Sequence, residues 1–308
     1  MNDLIDWTQK EVLILAFDHR SSFTKKLFEI QNRQPTAEEK KNIEDYKKLI
    51  FMGFRRALEK SVPQEIAGLL VDEEYGTDVL REAKKNGFTF AMPVEKSGQA
   101  EFDFDYGEDY AKHIEEFDPT FVKVLVRYNP AGDNMLNQRQ LKRLKTLSDY
   151  LQKTSKPFLF ELIVPATPQQ LAEIGDSKET YDLKLRPKLM VESMQEIQAA
   201  GVEPSVWKVE GVENPNDAKA IVNQAQSGGR QVGIITLGRG ESKEQVRKWL
   251  AVGAKIPGII GFAVGRTIFM QPLCEYKAGT ISQNEAVEKI ALNYADLVKL
   301  WQNEKQKR

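Results

Sequence analysis

Eight short apolar runs recur along the chain, nearly continuous rather than alternating, and they leave few folds open to it. They are VLILAFD (Val12–Asp18), IAGLLVD (Ile66–Asp72), FTFAMPVE (Phe88–Glu95) and FVKVLVRY (Phe121–Tyr128). PFLFELIV (Pro157–Val164), VWKVEG (Val206–Gly211), QVGIITLG (Gln231–Gly238) and GIIGFAVG (Gly258–Gly265) follow. Unbroken hydrophobicity of this kind is what a parallel strand buried on both faces requires. Between the runs lie stretches with apolar residues at helical spacing. In Ala37–Lys60 these are Ile43, Tyr46, Leu49, Ile50, Phe54 and Leu58. Residues 136–154, 183–200, 215–226 and 242–252 continue the pattern.

Thr36 and Ser242 are placed to start helices and Gly201 to stop one. A last helix over Gln283–Trp301 closes the chain, and the polar QNEKQKR after it reads as a frayed tail. Eight strand–helix alternations without a domain-sized linker predict one α/β domain over residues 1–308, a single (β/α)8 barrel rather than an open doubly wound sheet. The stretch from Pro165 to Tyr181 is long for a connection and is expected to hold a small helix over the barrel mouth.

Composition removes several classes of function. Lys and Arg number 44 against 45 Asp and Glu, so a uniformly basic nucleic-acid-coating protein is excluded. One cysteine, Cys274, excludes an intrachain disulfide and a cysteine-cluster metal site, and two histidines, His19 and His113, leave little for a zinc centre. The run Val12–Phe17 is too short for a membrane span or a signal segment. The expectation is a cytoplasmic protein with a small-molecule substrate, no metal, no cofactor, no nucleic acid and no membrane partner. Self-association stays open.

Catalytic groups of barrels sit at the C-terminal ends of strands and on the loops that follow. There the runs carry Asp18, Asp72, Glu95, Lys123, Glu161 and Lys208. An ionised side chain on a buried strand costs several kcal/mol (roughly, after relaxation) unless it is paired or its pKa shifts. A lysine amine attacks a carbonyl only when neutral, a state favoured by burial and by a second cation nearby. Lys123 and Lys208, inward on the fourth and sixth strands, are close enough to influence each other, and Asp18 and Glu161 are placed to move protons. The structural alternative is an ion pair, Lys208 with Glu210 for instance. Asp72 and Glu95 are as well suited to capping loops as to chemistry. His19 reads as a hydrogen-bonded structural residue and His113 as surface. Residues 101–110 read as a loop anchored by Phe102, Phe104 and Tyr106.

Barrels also bind phosphate on the loops after strands seven and eight. Here those loops hold Gly238-Arg239-Gly240 and Gly265-Arg266. Glycine lets a backbone approach an anion, and arginine supplies a forked cation. The alternative is that the arginines tie the rim to carboxylates. No nucleotide-binding glycine motif is present, so a phosphorylated sugar fits better than a nucleotide.

The order ILAFDHR, VDEEYG, PVEKSG, VKVLVRYNP, LFELIVP, VWKVEG, LGRG and GFAVGRT resembles the class I aldolase-type barrel domain found fused to the 5-dehydro-2-deoxygluconokinase of bacterial inositol catabolism. More distantly the chain is similar to tagatose 1,6-bisphosphate aldolase and sulfofructosephosphate aldolase. The resemblance implies a Schiff-base lysine at Lys208, a second lysine at Lys123, the strand-five glutamate at Glu161, the strand-one aspartate at Asp18 and a phosphate arginine at Arg266. It departs where His19 replaces a glutamine and where Leu237-Gly238-Arg239-Gly240 replaces a Ser-Ala-Gly-like loop. The implied reaction is cleavage of 2-deoxy-5-keto-D-gluconate 6-phosphate to dihydroxyacetone phosphate and malonate semialdehyde, with Arg266 on the phosphate and Arg239 on the carboxylate. Another ketose-phosphate aldolase, a lyase or isomerase using a divalent ion held by Asp18, Glu161 and Glu210, and a non-catalytic sugar-phosphate sensor are the competing readings.

Overall fold

The strands form where the apolar runs stand. The computed structural model describes residues 6–308. In it β1 (Val12–Ala16), β2 (Ala67–Leu70), β3 (Thr89–Pro93), β4 (Phe121–Arg127), β5 (Phe158–Ile163), β6 (Val206–Glu210), β7 (Gly233–Leu237) and β8 (Ile259–Val264) pair in parallel, each with the next, and β8 returns to β1. The result is the expected closed (β/α)8 barrel. One irregularity, between Ile234 and Ile235, shifts the β7–β8 register so that Ile234 faces Ile259 and Ile235 faces Gly261. At Gly261 the barrel wall is so tight that a Cβ would lie 1.8 Å from the Val12 carbonyl oxygen.

Two apolar layers follow from the alternation of side chains along each strand. Outward residues such as Val122, Val124, Phe160 and Trp207 join the helices in the main core. Inward residues, among them Val12, Ile14, Leu70, Ala91, Phe121, Leu159 and Val206, fill the barrel itself. Trp7 packs against Phe121 at its floor, with ring centroids 4.6 Å apart. Apolar filling below thus leaves the next inward positions, Lys123, Glu161 and Lys208, to form a charged layer at the C-terminal mouth.

The long helix Ala37–Lys60 has the expected bounds, and Thr36 caps it reciprocally with Glu39. Ser242 caps the helix Lys243–Gly253. The connection after β5 carries short helices over Pro168–Glu173 and Lys178–Thr180 and a π-turn over Tyr181–Leu185. The C-terminal tail departs from expectation. Its helix runs over Gln283–Lys305, and Arg308 donates to the carbonyls of Ala254, Ile256 and Ile259, which pins the polar end to the barrel. Among the described residues no helix is long and apolar enough to cross a membrane.

Candidate active site

Lys123 sits two residues above Phe121 on β4 and is about 1% exposed. Its Nζ lies 2.8 Å from Asp18 Oδ2, 2.7 Å from Glu95 Oε1 and 2.9 Å from Glu161 Oε2. Lys208 Nζ lies 2.8 Å from that same Glu161 Oε2. Strand register explains the sharing, because Glu161 on β5 is the direct partner of Lys208 on β6. One carboxylate oxygen therefore joins the two buried lysines.

Three carboxylates face two amines, so the cluster carries one net negative charge when all are ionised. Burial by itself lowers the Lys123 pKa, but Asp18, Glu161 and Glu95 outweigh it and hold the ammonium charged well above the usual lysine range. Asp18 and Glu161 respond inversely. Burial raises them, and the two lysines override it and hold both below the carboxylate range. Glu95 differs: burial prevails over Lys123 and Arg20, and its pKa is raised. Its Oε2 is buried without a hydrogen-bond partner.

His19 borders the same mouth. Its Nδ1 is buried without a hydrogen-bond partner and stands 4.0 Å from Asp18 Oδ1. Burial, with Arg266 and Lys208 nearby, lowers its pKa to about 4 against the pull of Asp18, so the ring is neutral at pH 7. The hydrogen-bonded structural role expected for it is not what Nδ1 shows. Lys47, wholly buried on the helix Ala37–Lys60, supports this end of β1 from behind. It donates to the carbonyls of Phe17 (3.0 Å) and His19 (3.2 Å), on either side of Asp18, and pairs with Asp72. Asp72 in turn caps the helix Glu73–Lys85 through the Tyr75 amide.

A cavity of about 210 Å³ opens at the cluster, with Asp18, Glu95, Lys123, Glu161 and Lys208 in its wall and the segment 96–102 along one side. On the β8 side, Arg266 opens the helix Arg266–Lys277, which has no side-chain cap. Its Nη2 donates to the Arg239 carbonyl at 2.7 Å, and its buried Nε has no hydrogen-bond partner. Among the described residues no carboxylate lies within ion-pair distance of it. Gly240, with φ of 77°, allows this placement, since a Cβ there would fall 2.3 Å from Arg266 Nη2.

Over residues 5–305 the chain matches a family model whose description is "Uncharacterized protein conserved in bacteria (DUF2090)". The chain belongs to the DUF2090 family. It is also similar to a tagatose 1,6-diphosphate aldolase 2 of Streptococcus agalactiae, with 25% identity over 201 residues. That match covers 64% of this chain and 56% of the relative, so the chain spans little more than half the length of the curated relative. Among solved structures, a fructose-bisphosphate aldolase from Plasmodium falciparum superposes with a TM-score of 0.68 at 15% identity, covering 97% of this chain and 92% of the other. A Schiff-base-forming fructose-1,6-bisphosphate aldolase gives 0.57 at 13%, covering 94% and 95%. At those identities the likeness is one of fold.

In this DUF2090 barrel the expected residues separate into two groups. Asp18, Lys123, Glu161 and Lys208 converge, and Glu95, left undecided by the sequence, joins them through Lys123. Arg239 does not reach them. Its guanidinium pairs with Asp182, with Glu210 at 3.2 Å and with Glu241 at 3.0 Å. With those donors engaged it ties the β7 loop, Gly238–Gly240, to the segment after β5, which is the rim-tying alternative and not the carboxylate site expected. Glu210 belongs to that network and also accepts from the Val164 amide, so it is neither the partner of Lys208 nor grouped with Asp18 and Glu161 as a metal ligand. Among the described residues no three His, Cys, Asp or Glu side chains are gathered to hold a metal ion. Phe102 and Phe104 anchor the acidic loop as expected. His113 is not free surface, because it stacks on Tyr106 (3.5 Å between centroids) and bonds Glu73 at 2.8 Å.

Proposed function

We propose that the chain is a Schiff-base-forming aldolase acting on a phosphorylated keto sugar acid, with Lys208 as the nucleophile. The observation that carries the reading is the single Glu161 oxygen shared by Lys208 and Lys123 at the floor of the mouth cavity. The aldolase names of the curated relative and of the structural neighbours support it.

Lys123, charged and fixed by three carboxylates, holds the shared Glu161 oxygen beside the Lys208 amine. Lys208 passes its proton by way of Glu161 into the carboxylate cluster, where Glu95 has the raised pKa, and the neutral Nζ attacks the substrate's ketone carbon. The carbinolamine oxygen takes a proton and leaves as water, giving an iminium ion. A carboxylate removes the proton of the hydroxyl two carbons from the iminium carbon, and the bond between the carbons flanked by the two groups breaks. Its electron pair passes into the iminium to form an enamine while an aldehyde departs. Reprotonation of the enamine carbon and addition of water release the ketone product and Lys208. Glu95, with its raised pKa, suits the proton-transfer steps, and ionised Asp18 acts as counterion to Lys123. Arg266, half-buried and without a carboxylate partner among the described residues, takes the phosphate beside the ketone, aided by the amides at its helix terminus.

The substrate that fits the resemblance is 2-deoxy-5-keto-D-gluconate 6-phosphate, cleaved to dihydroxyacetone phosphate and malonate semialdehyde. Incubating the purified chain with that compound and measuring dihydroxyacetone phosphate by a coupled oxidation of NADH tests the reading. Turnover that survives a chelator is expected. Turnover lost to chelator and restored by Mg²⁺ or Mn²⁺, or stabilisation by sugar phosphates with no turnover, refutes it.

A further inference from the structure

The lysines and arginines that line the mouth cavity differ in one respect. Lys123 and Lys208 are held by the carboxylate cluster, Arg20 by Asp105 at 2.6 Å, and Lys96 by Asp103 at 2.9 Å. Arg127 lines the same cavity and has no carboxylate partner among the described residues. Its one hydrogen bond runs from Nη1 to the Gln99 carbonyl at 2.8 Å. It stands four residues beyond Lys123 on β4 and on the same face, about 13 Å further along the strand. Arg266 lies on the opposite side, near enough to Asp18 and Glu161 for their charges to act on it.

We propose that Arg127 is the binding residue for a second anionic group on the substrate, at the end that leaves as the aldehyde. The assignment rests on the aldolase reading for its orientation. The ketone bonded to Lys208 and the phosphate at Arg266 occupy the floor, so the far end of the molecule points outward along β4 toward an uncompensated fork of donors. A carboxylate matches that fork with two parallel hydrogen bonds. The bond to Gln99 makes the segment 96–102 part of the same subsite, because it fixes the guanidinium at the cavity edge. This places the second anion at Arg127 rather than at Arg239.

The test runs the reaction in the direction of condensation, with dihydroxyacetone phosphate and either malonate semialdehyde or 3-methylbutanal, a neutral aldehyde of the same shape. The wild type is expected to favour the carboxylated aldehyde in kcat/KM. In R127Q that preference should fall about tenfold or more, and R127K, which keeps the charge and loses the fork, should lie between. An unchanged preference in folded R127Q overturns the assignment, as does a wild type that prefers the neutral aldehyde. Calorimetric titration with malonate needs no turnover: binding by the wild type that R127Q lacks supports the subsite, and equal binding by both overturns it. Absence of any condensation by the wild type sinks the aldolase reading instead, and leaves the malonate titration to decide the role of Arg127.

Discussion

Replacing Lys123 by Met removes the one cation that three buried carboxylates share. Asp18, Glu95 and Glu161 lie 2.7–2.9 Å from its Nζ, and after the substitution only Lys208 remains, touching Glu161 alone. Breaking a buried pair costs about 3–5 kcal/mol because an uncompensated charge is left behind. For a chain of this size that is a fall in melting temperature of about 5–8 °C. The pH dependence has a definite sign. In the wild type, Asp18 and Glu161 are held below the usual carboxylate range, so their stabilisation is present above the unfolded pKa and is lost as pH falls through the folded one. Lys123, held above its usual range, stabilises below the unfolded lysine pKa and stops doing so only as pH rises through the folded value. In K123M burial and mutual repulsion push the carboxylates up, so the folded state takes up protons and the deficit shrinks on acidification. Urea denaturation of both proteins at pH 5 and pH 8 should show a deficit of several kcal/mol at pH 8 and a smaller one at pH 5. A deficit below about 1 kcal/mol, the range of an exposed pair, or one independent of pH, would mean that Lys123 does not compensate the three carboxylates.

Three further outcomes are expected. Lys47→Met strands Asp72 and releases the Phe17 and His19 carbonyls, so chemical denaturation should register a loss of about 3–5 kcal/mol; a loss under 1 kcal/mol contradicts the gripping role. Gly240→Ala forces a left-handed residue and a Cβ against Arg266, so it should weaken phosphate binding in calorimetry and lower stability by about 1 kcal/mol or more; unchanged phosphate affinity contradicts the cradle. His19, with a pKa of about 4 in the fold, binds its proton more readily unfolded, so its contribution makes stability decline as pH drops from about 6.5 toward 4. Its imidazole resonances in NMR should titrate near pH 4, and a midpoint at the ordinary value contradicts the burial argument.

The barrel was legible because strands buried on both faces cannot hide their composition, and the ionisable residues inside those runs marked the site. Lys123, Glu161 and Lys208 stood out as charges where hydrocarbon belonged. Other features lay in pairings across the sequence that no local pattern announces. The Gly-Arg pair at Arg239 looks like its counterpart at Arg266, yet Asp182, 57 residues away, satisfies the first, while the second finds no carboxylate among the described residues. Glu95 ends its strand and was ambiguous until β4 brought Lys123 against it. Arg127 continues the inward face of β4 and was hidden by its position at the polar end of the run. The helix Ser21–Phe28 has no acidic first turn and no side-chain cap, so it offered little signal, and the docking of Arg308 onto backbone carbonyls leaves no trace in hydropathy.

Peptide mapping after borohydride reduction in the presence of dihydroxyacetone phosphate bears most directly on the role given to Lys208. One covalent adduct, with the mass of the reduced imine, is expected on the peptide that contains Trp207-Lys208-Val209. An adduct on Lys123 instead, or none at saturating ketone, contradicts that role.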